Sequence, residues 1–313
     1  MDTRPLTPAT LAASVIAVPP LARTASLAWN HAENERQIRH LEAGGVRTLL
    51  YGGNAVLGHV ALSEYAELLE RLRDTVAPDT LVIPSVGPGY GMMMDQAEIL
   101  RQFDFPTAML LPLREGTTPA GIAVGFRRFV ERVGRPGVLY LKHDGAMDVD
   151  NIARLVRDGL VSWVKYAIVR PDPTVDPFLR SLIDAIGTNL IVSGMGEQPA
   201  LVHLRQFGLP AFTSGCVCVA PRLSMSMLLA AQRRDDDGAE RIRAIFKPLE
   251  SLRDGINPVR VLHAAVRLAG VADTGPITPL LSAVTEEQQT TIREAVEVLL
   301  QYEQAARRNI VMS

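Results

Sequence analysis

One lysine closes a short apolar segment and has the chemistry of a nucleophile. Residues 160–165 read Leu-Val-Ser-Trp-Val-Lys. Alternate side chains of a strand share a face, so Val161, Trp163 and Lys165 are predicted on one face, with the ammonium at the carboxyl end. Burial disfavours the charged form of an amine, and a neutral amine attacks ketones to form a Schiff base. The alternative interpretation is that Lys165 ends its strand and extends to water.

The elements that would position this lysine alternate regularly along the chain. Short β-rich runs lie at residues 14–18, 46–50, 80–84, 107–111, 137–141, 160–165, 189–193 and 211–214. Stretches with helical periodicity lie between them, at residues 62–72, 97–103, 122–133, 149–157, 177–186 and 199–207. Eight strands alternating with helices predict an α/β fold of the (β/α)8 TIM barrel type. A doubly wound open sheet is the alternative, but Ala17-Val18-Pro19-Pro20 is not the glycine-rich turn that such a sheet usually has after its first strand.

The alternation of strands and helices stops near residue 237. Residues 240–253, 258–269 and 286–308 all have helical patterns, with no strand candidate between them. We therefore predict two units. Residues 1–236 form the barrel that carries the active site, and residues 237–313 form a C-terminal α-helical extension packed on it.

Composition and charge limit the classes of partner. The chain has 313 residues, of which 47% are hydrophobic, and this is enough for a large core. Its net charge of −2 argues against a nucleic acid or an anionic membrane, since both require a basic surface. No run approaches the length of a membrane span or of a signal peptide. The two cysteines, Cys216 and Cys218, have the wrong spacing for a zinc knuckle, so we expect a reduced, cytoplasmic setting.

Candidate site residues are those that fall at the carboxyl ends of the strands, where TIM barrels carry their active sites. Lys165 ends the sixth strand and Tyr140 the fifth, and Lys142 would face the same way as Tyr140 if the strand continues. Further candidates lie at the ends of other strands: Gly52, Gly53, Asn54, Arg114, Gly194 and Thr213. No set of His, Asp and Glu has metal-ligand spacing, so we expect neither a metal nor another cofactor.

Several short motifs occur in the order that is typical of one family. Residues 138–140 resemble its strand with a proton-relay tyrosine, and residues 164–167 resemble its Schiff-base lysine segment. Residues 193–194 and 212–215 are similar to the two glycine-containing strand ends that line its pocket, and residues 257–259 and 276–279 resemble parts of its helical C-terminus. From about residue 14 to 279 the chain thus resembles the dihydrodipicolinate synthase and N-acetylneuraminate lyase superfamily of pyruvate-dependent class I lyases.

The chain departs from this family's pattern where substrate would bind. The synthases usually carry a threonine hydroxyl that links the tyrosine into a proton relay, and it is missing at Gly53. The amide of Asn54 cannot shuttle protons as a hydroxyl can, although backbone N–H groups of the Gly53-Asn54 turn could hold a carboxylate. Arg114 lies where a second tyrosine is expected, and Lys142 lies in the expected arginine region. A substrate other than that of the lysine-pathway synthase is therefore implied.

The resemblance implies a Schiff-base mechanism. Lys165 would attack the ketone of pyruvate or of a 2-keto-3-deoxy sugar acid, Tyr140 would relay protons, and aldol cleavage, condensation or dehydration would follow. The Gly53-Asn54 turn and Thr213 would position the carboxylate and methylene groups. As the family is commonly tetrameric or dimeric, the resemblance also implies a homo-oligomer.

Three alternatives stay open at this point. Lys142 is either a solvated loop lysine or a cation of the pocket. In the pocket it would lower the pKa of Lys165 or bind a further acidic group of the substrate, and Arg114 could also bind such a group. A rival assignment makes Lys142 the Schiff-base residue. The missing hydroxyl at Gly53 also allows a degenerate family member that binds a 2-oxo acid without efficient turnover.

Overall fold

Parallel strands close into a barrel in the computed structural model, which describes residues 1–311. The strand segments are β1 (Ile16–Ala17), β2 (Thr48–Leu50), β3 (Leu81–Ile83), β4 (Ser85–Val86), β5 (Met109–Leu110), β6 (Gly137–Leu141), β7 (Val161–Tyr166), β8 (Ile191–Ser193) and β9 (Thr213–Ser214). Pro84 interrupts one barrel strand and divides it into β3 and β4. The order runs β3-β2-β1-β9 and β4-β5-β6-β7-β8, and a bridge from Ser193 to Phe212 closes the ring. The predicted eight-stranded TIM barrel is confirmed.

Helices follow the strands on the outside of this barrel. They are α1 (Pro8–Ala12), α2 (His31–Ala43), α3 (Leu62–Thr75), α4 (Tyr90–Leu100), α5 (Pro119–Val133), α6 (Val149–Arg157), α7 (Pro177–Ile186), α8 (Glu197–Gln206), α9 (Pro221–Gln232), α10 (Asp236–Gly255), α11 (Pro258–Leu268) and α12 (Glu286–Val311). The sequence patterns missed α1, α2 and α9. In α2 the buried positions include Asn34 and Gln37, which conceal its apolar stripe. Among the described residues, no helix combines the length and the apolar character that crossing a membrane requires.

The barrel interior is a separate apolar layer beneath the mouth. Val138 and Trp163 pack there with side chains of the other strands, and Trp163 is fully buried. The prediction that Val161 shares this face with Lys165 is wrong. Gly137 pairs with Val161 but Val138 pairs with Trp163, and this register shift places Val161 in the outer core, against the helices. The strand therefore alternates as predicted only from Trp163 onward.

The C-terminal helices pack against one side of the barrel. Helix α10 contacts α8 and α9, and α11 and α12 pack on α10 around a second apolar cluster that includes Phe246 and Leu249. This packing brings the last turn of α10 next to the loop that follows β8. The division of the chain at residue 237 into two units stays a prediction, which we keep as a proposal; α10 itself begins at Asp236.

Candidate active site

Lys165 and Tyr140 lie side by side at the carboxyl ends of neighbouring strands. The register of β6 and β7 pairs the two residues directly, so both side chains face the barrel interior above Trp163. The Nζ atom of Lys165 lies 4.5 Å from the centroid of the Tyr140 ring. Lys165 is 5% exposed. An amine and a phenol thus share one buried face at the mouth of the barrel.

The surroundings change the proton affinity of both groups. Burial lowers the pKa of Lys165 from 10.5 to about 7, and the positive charges of Lys142 and Arg253 act in the same direction. Burial raises the pKa of Tyr140 to about 12, against a smaller opposing effect of the Arg253 charge. Near neutral pH a large share of the amine is therefore uncharged, while the phenol keeps its proton and can donate it.

A cavity of about 890 Å³ opens above this pair. Most of the predicted site residues line it together with Lys165 and Tyr140: Gly53, Asn54, Lys142, Gly194 and Thr213. Its volume is near the upper end of the range of about 300–1,000 Å³ that is typical of ligand sites. The cavity therefore has room for a substrate larger than a three-carbon acid.

The turn after β2 forms one wall of this cavity and is held from two sides. Asn54 donates its side-chain amide to the carbonyl of Val18 at 2.9 Å, and the carbonyl of Asn54 accepts from Nε2 of His263 at 2.8 Å. Gly53 is exposed, and a Cβ at this position would meet no atom within 4 Å. The turn is thus fixed by Asn54, while Gly53 leaves its backbone accessible from the cavity.

Gly194 allows the backbone to approach the lysine closely. A Cβ at this position would lie 2.7 Å from the carbonyl oxygen of Tyr166 and 3.0 Å from Cγ of Lys165. The backbone N–H of Gly194 donates to the same carbonyl at 2.6 Å. A side chain here would push the lysine or its strand out of place, so this glycine is needed for the geometry of the site.

Two predicted residues do not reach the cavity. Gly52 is buried behind it, where a Cβ would lie 2.7 Å from Cε of Met109, so its role is close packing of the strand end. Arg114 is exposed on the loop after β5 and does not line the cavity. That loop turns back on itself, with a positive φ of 70° at Gly116 and a hydrogen bond from the Thr117 hydroxyl to Leu113. Neither Gly52 nor Arg114 thus lines this cavity, and their contact with substrate stays a prediction.

Four arginines of the cavity wall were not predicted from the sequence: Arg170, Arg205, Arg243 and Arg253. Arg170 follows β7 and pairs with Asp144 at 2.5 Å and with the buried Asp176 at 3.0 Å. Arg253 reaches the cavity from α10, and its side chain is 11% exposed. A signal for it exists in the helical pattern, because residues 246, 249, 250 and 253 share one stripe and a charged residue on an apolar stripe is unusual.

A buried pair of carboxyl groups supports Arg253 from behind. Glu250 accepts the backbone N–H groups of Glu197 and Gln198 at 2.9 and 2.6 Å. Glu197 accepts the hydroxyls of Ser214 and Ser224 at 2.8 and 2.6 Å. Burial, followed by the negative charge of Glu197, raises the pKa of Glu250 well above its usual range.

The same carboxyl pair lies close to Cys216, and ligand atoms of Glu197, Cys216 and Glu250 are within 4.8 Å of one another. This group of three side chains was not predicted from the sequence. The backbone amides and serine hydroxyls already occupy carboxyl oxygens of the pair, and Nη1 of Arg253 lies 3.3 Å from Glu250. The arrangement therefore suits an anchor for a guanidinium group better than a cation site.

Comparisons with known proteins find several that this chain is similar to. No protein-family model matches the chain. The 4-hydroxy-tetrahydrodipicolinate synthase of Ralstonia nicotianae is 26% identical over 268 residues, which cover 82% of this chain and 88% of that protein. The probable 5-dehydro-4-deoxyglucarate dehydratase 1 of Streptomyces coelicolor is 21% identical over 276 residues, covering 83% and 84%. The crystal structure of dihydrodipicolinate synthase from Bacillus clausii, at 21% identity, has the same fold, with a TM-score of 0.81 over 91% of this chain and 97% of that one.

Proposed function

We propose that this chain, which belongs to the dihydrodipicolinate synthase and N-acetylneuraminate lyase superfamily, is a Schiff-base-forming lyase for pyruvate or a 2-keto-3-deoxy sugar acid. One observation carries the proposal. Lys165 is a buried amine with a pKa of about 7, and it packs against the phenol ring of Tyr140 at the mouth of the barrel. The sequence relatives are a synthase and a dehydratase by name, and both names are consistent with imine chemistry.

The reaction starts when Nζ of Lys165 attacks the C2 ketone of the substrate. A C–N bond forms, the ketone oxygen takes a proton, and the resulting carbinolamine loses water to give an iminium ion. Tyr140 exchanges the protons of these steps, because its phenol is protonated and adjacent to the amine. The iminium then withdraws electrons from C3. Either the C4 hydroxyl loses its proton and the C3–C4 bond breaks to give an aldehyde and an enamine, or C3 loses a proton and the C4 hydroxyl takes up a proton and leaves as water. Protonation of the enamine and hydrolysis of the iminium then release the product and restore the amine of Lys165.

The remaining cavity residues bind the substrate. Backbone N–H groups of the Gly53-Asn54 turn hold the C1 carboxylate, as such turns commonly do with anions. Thr213 is buried in the wall and positions C3. Lys142 lies exposed at the opening, and its charge favours both the neutral amine and an acidic substrate. Burial favours the uncharged, nucleophilic form of the Lys165 amine, and we therefore assign the attack to Lys165 and not to the exposed Lys142.

Reductive trapping with pyruvate and borohydride tests this assignment. The chain contains only three lysines, Lys142, Lys165 and Lys247, so the modified peptide identifies the nucleophile without ambiguity. We expect a stable pyruvate adduct on Lys165 in the wild type and in Lys142→Ala. Lys165→Ala should give none. An adduct on Lys142, or no adduct in the wild type, would refute the proposal.

Turnover separates an active lyase from a protein that only binds. The degenerate alternative rests on the missing hydroxyl at Gly53, and no comparison favours it. We therefore expect product release from at least one member of a panel of 2-keto-3-deoxy sugar acids, measured by mass spectrometry. Formation of the Lys165 imine without release of product across the panel would favour the binder.

We also propose that the chain acts as a homo-oligomer, a dimer or tetramer, in the cytoplasm. Tyr90, Leu113 and Val124 are 46%, 39% and 53% exposed and surround an apolar cavity of about 440 Å³. Exposed apolar side chains grouped in this way are typical of protein interfaces. Sedimentation of the wild type and of Val124→Asp tests this face, and a monomeric wild type would contradict it. The free, buried cysteines Cys216 and Cys218 agree with a reducing compartment.

A further inference from the structure

Arg253 is the buried cation of the cavity that the proposed reaction does not use. It lies in the last turn of α10 and reaches the cavity beneath the loop that follows β8. A Cβ at Gly196 in that loop would lie 3.1 Å from Nη1 of Arg253. Oε1 of Glu250 would be the nearest atom to such a Cβ, so the absence of a side chain at Gly196 makes room first for the Glu250 carboxyl group and then for the guanidinium beside it.

Much of the hydrogen-bonding capacity of this guanidinium is unused. Among residues 1–311, Arg253 donates only from Nη1, to Glu250 at 3.3 Å and to the sulfur of Cys216 at 4.0 Å. Its Nε is buried and has no acceptor in the described part of the chain. A buried donor without a partner is costly, and a ligand that supplies the acceptor recovers that cost.

The other arginines of the cavity wall each pair with a carboxylate, although Nε of Arg170, like that of Arg253, has no hydrogen-bond acceptor among the described residues. Arg243 forms a two-pronged pair with Glu240, with Nε 2.9 Å from the carboxylate. Arg205 pairs with Asp236 at 2.7 Å, and Arg170 pairs with two aspartates. The carboxyl partner of Arg253, by contrast, is already engaged by two backbone N–H groups and has a raised pKa. Arg253 is therefore the cavity arginine whose charge is least compensated.

We infer that Arg253 binds a second acidic group, at the far end of the substrate, so that the preferred substrate class is a 2-oxo acid with two carboxylates. The inference rests on the proposed function, in which the turn after β2 holds the C1 carboxylate and Lys165 holds C2. Arg253 enters from a different side, next to β8, and the cavity continues from it to Arg243 and Asp254. A planar guanidinium with free donors matches a carboxylate in geometry as well as in charge.

Ligands of equal length isolate this second contact. The test uses 2-oxoadipate, which has six carbons and two carboxylates, 2-oxohexanoate, which has six carbons and one, and pyruvate. For each, the concentration that half-saturates borohydride trapping on Lys165 is measured. We expect the wild type to prefer 2-oxoadipate over 2-oxohexanoate by about tenfold or more, since a charge-assisted contact of this kind is worth roughly that factor.

Two substitutions and one matched control assign the preference to Arg253. Arg253→Met should reduce the preference for the diacid over 2-oxohexanoate to about onefold to twofold. Because Arg253 also lowers the pKa of Lys165, its loss should change pyruvate and 2-oxohexanoate trapping by a similar factor, which cancels in this ratio. Arg253→Lys keeps a cation beside Glu250, protects the fold, and should retain only part of the preference. Arg243→Met removes an arginine of the same helix and cavity whose donors are already paired, and it should keep the wild-type ratio.

Each outcome either supports the inference or overturns it. A wild type without preference for the diacid, or an Arg253→Met variant that keeps the preference, overturns it. Equal weakening of all three ligands in both Arg253 variants, with the wild-type ratio of diacid to monoacid kept, also overturns it, because Arg253 would then act only through the shared C1 carboxylate or through Lys165. Failure of the proposed function looks different, since the wild type would then form no pyruvate adduct at all.

Discussion

Replacement of Lys165 by methionine should stabilise the fold at neutral pH, although it removes the nucleophile. The pKa of Lys165 is 10.5 in the unfolded chain and about 7 in the fold, a difference of about 3.5 pKa units. Folding with a protonated Lys165 therefore costs the free energy that corresponds to this difference. At about 1.4 kcal/mol per unit this amounts to at most about 5 kcal/mol. Methionine has a similar length and no charge, so Lys165→Met avoids the penalty and keeps the packing against Tyr140.

The sign of the pH dependence follows from the lowered pKa. Below pH 7, Lys165 is protonated in the folded and in the unfolded chain, and the free energy of unfolding is lowered by the full amount. This loss of stability shrinks between pH 7 and 10.5 and is absent above pH 10.5. The free energy of unfolding of Lys165→Met should exceed that of the wild type, and this difference should fall by about 3 kcal/mol between about pH 6 and pH 9.5. Urea unfolding at both pH values measures it.

A matched substitution controls for the loss of a lysine as such. Lys247 is exposed on α10, so Lys247→Met should change the free energy of unfolding by less than about 0.5 kcal/mol at either pH. An advantage of Lys165→Met that is absent at about pH 6, or that does not decline as the pH rises, would refute the argument that this amine is desolvated in the fold.

Three further predictions concern the chemistry of the site. Gly194→Ala should slow pyruvate trapping by about 10²-fold because it displaces Lys165, whereas Gly53→Ala, which meets open space, should trap at nearly the wild-type rate; equal rates would contradict the geometry. Tyr140→Phe should slow imine formation by about 10²–10⁴-fold, measured by stopped-flow trapping, with little effect on the final yield. The trapping rate should rise as pH increases through about 7, and Lys142→Met should move this rise to higher pH, since removal of a neighbouring cation raises the pKa of Lys165; an unchanged profile would remove Lys142 from the site.

The central pair of the site was predictable because its signals are local. Strand alternation places Tyr140 and Lys165 on inward faces, and the order of short motifs sets both at the ends of neighbouring strands. The same logic fails where geometry departs from the regular period. A register shift between two strands moves Val161 to the outer face, and a loop that folds back on itself carries Arg114 away from the cavity. Neither a bulge nor the direction of a loop follows from hydrophobic periodicity.

Arg253 depends on contacts that are distant in the sequence, and for this reason it was missed. Glu250, which positions it, is bound by the N-terminus of α8, 53 residues earlier in the chain. Only the packing of α10 on α8 brings these groups to the carboxyl end of β8. The helical stripe of residues 246, 249, 250 and 253 predicts that Glu250 and Arg253 face inward, but it does not predict which elements they contact. Tertiary contacts supply that information.

The positive charges of Lys142 and Arg253 also counteract an effect that an acidic substrate has on the pKa of Lys165. A carboxylate that enters the cavity raises the pKa of Lys165, because it favours the ammonium form, and a diacid does so twice. The amine would then be protonated at the moment when it must attack. Lys142 and Arg253 each bring a positive charge that opposes this effect, so the pKa of Lys165 rises less with the diacid bound than it would without the two cations. In this arrangement the cations that bind the substrate are the same ones that keep the nucleophile uncharged. Loss of either one should therefore affect the pH profile in the presence of a diacid more strongly than with pyruvate.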